Sequence, residues 1–457
     1  MMSTDKKVTL IGAGLVGSLL SMYLAKRGYQ VSIFEKRPDM RKAEYAGGRS
    51  INLALSHRGF NGLAAIGLAD EIRKVGIPMY GRVLHQANGD VQYQPYGKEG
   101  EAIYSVSRGG LNKKLMELAD ADPNIHITFE KNCIDVDIKN GICHFEDQQT
   151  KEKSSVQSDL ILSADGAFSA ARLALQTKSE RFEYSQSYLD QGYKELTIPA
   201  GPNGTYLLEK EALHIWPRNN YMLIALPNLD GTFTCTLFFP FDGEVSFNSL
   251  KTREQVQAFL SKDFADVYAI SPQIVDEYMA NPNGSLVTVR SYPWSYEDKL
   301  GLLGDASHAI VPFFGQGMNS GFEDCFELGK LMDQYPGDWK TILSEFQISR
   351  KPNADAIADM ALENFIEMRD KVADQKFLLR KKIEQKLNKL YPENYISKYS
   401  LVSFGTAPYK DALAMGFKQD ALFKEVLAIP EIENNWDSPE STQKIEQLLK
   451  EFGFING

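Results

Sequence analysis

Three glycines in the order Gly12-x-Gly14-x-x-Gly17, set directly after the apolar run Lys7–Ile11, restrict the fold of this chain more than any other feature. Residues 15–27 carry helical periodicity, and residues 29–35 form a second apolar run that ends in Glu35. Strand, tight turn, helix and strand make a βαβ unit, and an acid about 20 residues past the first glycine completes a dinucleotide-binding pattern. The glycines allow the tight turn and let a pyrophosphate approach the helix N-terminus, where unpaired N–H groups and the helix dipole favour anions. Glu35 is then placed to accept hydrogen bonds from ribose hydroxyls. A GxGxxG triplet alone carries little weight, but here both strands and the acid are in register. Gly12, Gly14, Gly17 and Glu35 therefore form a cofactor site, and the pattern leaves open whether the dinucleotide is FAD or a nicotinamide nucleotide.

At 457 residues the chain is too long for one compact core and predicts two or three units, with cofactor sites in the clefts between them. Its net charge of −10 argues against a nucleic-acid partner, because phosphate binding needs a clustered basic surface, and points to small-molecule partners. Cys133, Cys143, Cys235 and Cys325 are scattered, with no CxxC pair and no neighbouring histidine cluster. Neither a zinc or other metal site nor a disulfide framework is expected, and a reducing, cytoplasmic setting fits. Met1-Met2-Ser3 leads within a few residues into the first strand, so no signal peptide is expected. No apolar stretch approaches the roughly 20 residues needed to cross a bilayer, so no membrane anchor is expected.

Two later apolar runs also end in glycine turns: residues 159–164 run into Asp165-Gly166, and residues 299–303 into Gly304-Asp305. Between them the texture changes. Residues 213–216, 221–226 and 232–239 are β-rich, separated by Asn219-Asn220 and Asp230-Gly231, and read as an antiparallel meander covering one side of a pocket. Beyond residue 338 the pattern is helical, through residues 363–391 and on to an amphipathic segment at 441–449. The expected fold class is α/β: a Rossmann-like dinucleotide-binding domain (residues 1–80, 101–180 and 291–350), an antiparallel β-sheet substrate domain (81–100 and 181–290) and a C-terminal helical region (351–457). No internal repeat is present.

Ser163-Ala164-Asp165-Gly166-Ala167 with Arg172, and Gly304-Asp305-Ala306-Ser307-His308 leading into Pro312-Phe313-Phe314-Gly315-Gln316-Gly317-Met318-Asn319, resemble the paired signatures of flavoprotein hydroxylases. The resemblance selects FAD. It implies that Asp305 binds the ribityl chain and that the helix after the glycine-rich loop aims its N-terminus at the flavin pyrimidine edge. Backbone N–H groups around Gly317, Met318 and Asn319 would then stabilise the negative charge of reduced flavin. His308 reads as a structural hydrogen-bonder beside Pro-rich loop backbone. Phe313 and Phe314 are either core or aromatic walls of the flavin pocket, and the sequence leaves both open.

Further stretches lie outside these general motifs: Gly48-Arg49-Ser50-Ile51-Asn52-Leu53-Ala54-Leu55-Ser56, Leu213-His214-Ile215-Trp216-Pro217, Ala225-Leu226-Pro227-Asn228, Ala361-Leu362-Glu363-Asn364 and Tyr399-Ser400-Leu401-Val402-Ser403-Phe404. Together they resemble the kynurenine 3-monooxygenase family of FAD-dependent aromatic hydroxylases, over most of the chain to about residue 409. The resemblance implies a substrate carboxylate held by Arg82, with Tyr96, Asn364 and Tyr409 assisting, and Phe238, Phe313 and Met368 around the substrate. An amino-acid carboxylate entering a partly dry pocket needs such a cation and donors. On the cofactor side it adds Val16, Phe34, Lys36, Arg37, Ala54, Arg108 and Asp165.

The implied reaction is hydroxylation of L-kynurenine to 3-hydroxykynurenine, with NADPH as co-substrate and O2 activated as a flavin C4a-hydroperoxide; a homodimer is compatible with it. No side-chain nucleophile is required, and no nucleophile elbow, Walker loop or HExxH is present. The alternatives are an FAD hydroxylase of another activated arene and a non-catalytic flavin-binding module. Two departures from the family stand out. Animal relatives continue into a membrane anchor that is not expected here, and Gly405-Thr406-Ala407-Pro408 replaces a basic sequence before Tyr409.

Overall fold

The computed structural model describes residues 7–42, 51–96, 98, 100–367 and 375–456. Its first sheet has six strands in the order Ser295–Tyr296, Leu300–Leu302, Leu160–Ser163, Lys7–Ile11, Gln30–Phe34 and Ile125–Thr128, parallel except for the first pair. Parallel strands covered on both faces bury nearly every side chain, which is why these runs are continuously apolar rather than alternating. Val8, Leu10, Leu160, Ile161 and Leu302 are all buried.

The register of this sheet builds the site. Ile11 pairs with Ser163, and Ser163 with Leu302, so the three glycine turns that follow leave the same carboxyl edge side by side. Backbone hydrogen bonds continue past the strand ends: Gly12 N–H donates to Phe34 O (2.8 Å), Ala164 N–H to Ile11 O (2.9 Å) and Leu303 N–H to Ser163 O (2.9 Å). Motifs separated by some 150 residues of chain each are thus fused into one rim, where ligands bind in open α/β sheets.

The second large sheet has seven strands: Gly284–Tyr292, Glu183–Ile198, Phe233–Pro240, Tyr221–Pro227, Ala212–Arg218, Gly81–His85 and Val91–Pro95. It contains the expected meander, antiparallel throughout, and one parallel pairing, Ala212–Arg218 with Gly81–His85. Side chains alternate between its faces. Phe233, Cys235, Leu237 and Phe239 pack against the helices Arg253–Asp263, Ala265–Ile270 and Ile274–Ala280. Met222, Ile224 and Phe238 face the other way, into a cluster with Phe313 and Phe365.

Helices beyond the sheets run Trp339–Ile366, Gln375–Leu390, Lys398–Ser403, Tyr409–Val426, Ile432–Asn435 and Pro439–Glu451. Ser441, Ile445 and Leu449, four residues apart, form the buried stripe of the last one. Among the described residues no helix is long and apolar enough to cross a membrane.

Candidate active site

The dinucleotide end is built from steric exclusion. A Cβ on Gly17 would lie 2.0 Å from Gly12 O, and one on Gly12, whose φ is 95°, would lie 2.7 Å from Ala164 O. Both positions therefore require glycine for close backbone packing. Gly14 differs: an added Cβ would meet no protein atom within 4 Å, and the same holds for Gly109 and Gly166. The open space in front of Gly14, at the N-terminus of helix Leu15–Ala25, is what a bound pyrophosphate needs.

Glu35 is buried. Its Oε2 accepts the Ala13 N–H at 2.8 Å, and its Oε1 accepts the Arg37 backbone N–H at 3.0 Å and Nε at 2.7 Å. Burial pushes this carboxyl up, but the Arg37 hydrogen bonds and charge, with Ala13, outweigh it and hold it below the usual carboxylate range. It stays ionised. Lys36 beside it is exposed. Phe34 stacks on Phe145, with centroids 4.3 Å apart, and is thereby a packing residue. Val16 wedges the first motif to the third, since its methyls fill the space above Gly304 and Gly321.

Asp305 opens the short helix Asp305–His308 at the floor of the rim. It is open to solvent on one side yet ringed by protein, and this crowding raises its carboxyl pKa, with Arg108 and His308 pulling it back. Arg108 stands exposed across the cleft at the start of helix Arg108–Asp120. Asp165 is already occupied: Oδ1 accepts the Ser163 hydroxyl (2.7 Å) and Oδ2 the Ala170 N–H (2.8 Å), so it caps a turn. Arg172 ties the second motif to the third through Ala167 O and Ala306 O.

The Asn319 side chain is likewise consumed. Its Oδ1 accepts the Ser56 N–H (2.9 Å), and its Nδ2 donates to Ala54 O (2.8 Å) and Gly315 O (2.7 Å). What it leaves for a ligand is backbone. The first turn of helix Gly317–Gln334, with the N–H groups of Gly317, Met318 and Asn319, has no intrahelical acceptors, as at any helix start. His308 has the structural part expected of it: its Nε2 donates to buried Asp324 at 2.6 Å.

On the other side of that helix start stands an aromatic clamp. The Arg82 guanidinium carbon lies 5.6 Å from the Tyr96 ring centroid and 5.4 Å from that of Tyr399, and the two rings stack at 5.5 Å. Arg82 Nε and Tyr96 Oη are both buried with no well-formed hydrogen-bond partner. The Tyr399 hydroxyl is close enough to Tyr96 to bear on its titration, but not in good bonding geometry. Burial pushes both phenols up and the Arg82 charge pulls them back only in part, so both keep their protons and can donate. Buried orphan donors around a cation are costly unless a ligand completes them.

Phe313 joins this clamp to the apolar cluster, its ring 4.8 Å from Phe238 and 4.5 Å from Phe365, while Phe314 stacks on Tyr399 at 5.7 Å. Asn364 Nδ2 donates to Phe313 O at 2.7 Å and pins the turn Pro312–Phe314 to helix Trp339–Ile366. The two phenylalanines are buried in the core, and Phe314 also stacks on the clamp tyrosine Tyr399. Ala54 packs at the Tyr96 end of the same wall.

Tyr409 belongs to the apolar cluster of Phe238, Phe313 and Phe314, against which Tyr399 packs. The Tyr409 hydroxyl donates to Gln316 Oε1 at 2.9 Å and its ring lies beneath the Arg58 guanidinium, 4.1 Å away, so the tyrosine beside Arg82 and Tyr96 is Tyr399. Phe404, packed against both clamp tyrosines, also went unnoticed in the sequence. The stretch Tyr399-Ser400-Leu401-Val402-Ser403-Phe404 did carry the family likeness, and that was the available signal. Met368, Gly97 and the segment Gly48-Arg49-Ser50 lie outside the described residues.

The FAD binding domain family matches residues 5–361. A kynurenine 3-monooxygenase from Flavobacterium psychrophilum is 48% identical over 448 residues, covering 98% of this chain and 99% of that protein. The chain belongs to the kynurenine 3-monooxygenase family. A family member from Myxococcus xanthus is 49% identical over 420 residues, covering 92% of this chain and 90% of its own. Among solved structures, a tetrameric form of 2-methyl-3-hydroxypyridine-5-carboxylic acid oxygenase superposes with a TM-score of 0.65 at 17% identity, over 84% of this chain and 98% of that one. That likeness is one of fold. Membership makes the chain a flavoprotein monooxygenase with FAD as its cofactor.

Proposed function

We propose that this chain hydroxylates the aromatic ring of L-kynurenine to give 3-hydroxykynurenine, with NADPH as reductant and O2 as oxidant. One observation carries the reading. Arg82 Nε and Tyr96 Oη are buried without partners in an aromatic clamp that touches, through Phe314, the turn leading into helix Gly317–Gln334. An amino-acid carboxylate completes those donors, and its aryl ketone then extends along Phe313 and Phe238.

FAD, when bound, supplies the redox and oxygen chemistry. The residues supply the rest. Gly12, Gly14 and Gly17 would give the pyrophosphate its approach, Glu35 would face the ribose, and Asp305 and Arg108 would hold the ribityl chain. The first-turn N–H groups of Gly317, Met318 and Asn319 would present the positive end of a helix to an anionic ring edge. Arg82 holds the substrate carboxylate, Tyr96 and Tyr399 donate to it, and Asn364 fixes the turn bearing Phe313. Phe238, Phe313 and Phe365 keep water from the reacting ring. Tyr399 takes the part expected of Tyr409, and Met368 joins the set on family likeness alone.

The domain division expected from the sequence belongs to the same reading, supported by the separation of the six-stranded and seven-stranded sheets. Four buried, unpaired cysteines support a reducing, cytoplasmic setting. The test is NADPH oxidation by the flavin-replete protein with and without L-kynurenine, with the product identified by mass. Stimulated oxidation and a product one oxygen heavier support the reading. Hydrogen peroxide alone would make kynurenine an effector, with another arene as substrate.

A further inference from the structure

Arg58 is the second residue of helix His57–Ala64 and is buried to 2% exposure. A buried guanidinium must find acceptors for its five N–H donors. Here Nε donates to Val402 O (3.0 Å), Nη2 to Leu401 O (3.3 Å) and to Ala407 O, and Nη1 to Glu323 Oε1 (2.6 Å). Leu401 and Val402 lie in the last turn of helix Lys398–Ser403, six residues long. So short a helix has no stability of its own, and its final carbonyls lack intrahelical donors. Arg58 supplies them, with its positive charge at the negative end of the helix dipole.

That helix carries Tyr399 in its first turn, and Phe404 follows it directly. The other end of the Arg58 array leads to the cofactor rim. Glu323 also accepts Arg350 Nη1 (2.6 Å), Arg350 Nε donates to Asp324 Oδ1 (2.8 Å), and Asp324 Oδ2 accepts the Gly304 N–H (2.9 Å). Two residues before Arg58, the Ser56 N–H is held by Asn319 on the helix that starts at the flavin edge. One side chain thus links the clamp tyrosine to the elements that hold the cofactor.

We propose that Arg58 is a positioning residue for substrate-carboxylate recognition: it closes the helix that carries Tyr399 and sets that ring against Arg82 and Tyr96. The proposal rests on the function proposed above. It assigns a purpose to Tyr409, whose ring supports the guanidinium from below.

The test compares Arg58→Lys in two backgrounds, wild type and Tyr399→Ala, each as flavin-replete protein with its melting temperature and FAD affinity recorded. Lysine keeps the charge but cannot span three carbonyls and a carboxylate. In the wild-type background KM for L-kynurenine is expected to rise about tenfold or more with kcat within about threefold, and FAD affinity to stay unchanged. In the Tyr399→Ala background the same replacement is expected to change KM by less than about threefold, because the two residues act as one unit. Equal fold-changes in both backgrounds, or FAD affinity falling in step with KM, would overturn the proposal. Should the lysine variant fail to fold, Tyr409→Leu, which removes the supporting ring, gives the same two-background comparison. If the wild type itself shows no kynurenine-stimulated NADPH oxidation, the function fails first, and that result is seen before any variant is made.

Discussion

Replacing Arg82 with methionine isolates the carboxylate clamp, because methionine keeps the aliphatic bulk and removes the charge and all five donors. Among the described residues no acidic side chain comes within ion-pair distance of Arg82, and the faces of Tyr96 and Tyr399 are its nearest compensation. Each face contributes on the order of 0.5 to 2 kcal/mol. A bound carboxylate adds charge-assisted hydrogen bonds in a partly desolvated site, where truncating one partner costs about 2 to 5 kcal/mol. At about 1.4 kcal/mol per decade, L-kynurenine should bind roughly 30-fold to several-thousand-fold more weakly.

The assay is titration of the flavin absorbance with L-kynurenine, repeated with 2-aminoacetophenone, which keeps the aryl ketone and lacks the amino acid. Affinity for the second ligand should move less than about threefold, since it never met the lost charge. The ligand-free protein should change little in stability, because the loss of the two ring contacts is offset by removal of a buried Nε that has no partner. Kynurenine affinity unchanged within about threefold refutes the clamp. Equal weakening of both ligands would make Arg82 a shaper of the pocket and not a reader of the carboxylate.

Gly14→Ala should leave the apoprotein as stable as the parent while weakening FAD binding, since the new methyl meets only the space in front of the helix; Gly12→Ala, at φ 95° and 2.7 Å from Ala164 O, should lower the melting temperature as well. Tyr399→Phe should raise KM for kynurenine by roughly tenfold through loss of one donor to a carboxylate, whereas Tyr409→Phe, which keeps the ring under Arg58 and loses only a hydroxyl spent on Gln316, should change it by less than about threefold; steady-state kinetics decides, and the reverse order would restore Tyr409 to the substrate. Asp324→Asn should cost on the order of 3 kcal/mol at neutral pH by removing the carboxylate that His308 and Arg350 share, although Arg350 keeps Glu323, as read by chemical denaturation. Burial pushes the Asp324 carboxyl up, but His308 and Arg350 overcome this and bring it to about 2. Its folded pKa lies below its unfolded one, so its contribution is complete above about pH 4 and is lost as the pH falls toward about 2, a loss the asparagine variant should not show.

The cofactor half was legible because its determinants are local. A glycine turn between strand and helix is written in consecutive residues, and continuous apolar runs announce strands covered on both faces. Even so, the roles of single side chains within those motifs were not. Asp165 and Asn319 carry the family pattern, yet their side chains are spent on Ser163, Ala170, Ser56, Ala54 and Gly315, and Val16 serves as a wedge under two glycines. A motif records which residue must stand at a position; only packing says whether its side chain or its backbone faces the ligand.

Tyr399 and Tyr409 show where sequence reading loses its grip. Both stand in the first turn of a helix, both are followed by mixed polar and apolar residues, and both lie more than 300 residues from Arg82, so no local period separates the one that packs against Arg82. The choice is made by Arg58, whose bonds to Glu323 and Val402 reach across 265 and 344 residues of chain. In sequence Arg58 is one more arginine near a helix start, indistinguishable from a solvated one, because its acceptors are three backbone carbonyls, two on another helix and one beyond it, and a single distant acid, Glu323. Backbone carbonyls have no residue identity. A buried cation satisfied mostly by them leaves no complementary acid pattern to find, and the geometry that selects the clamp tyrosine is for that reason visible only once the chain is folded.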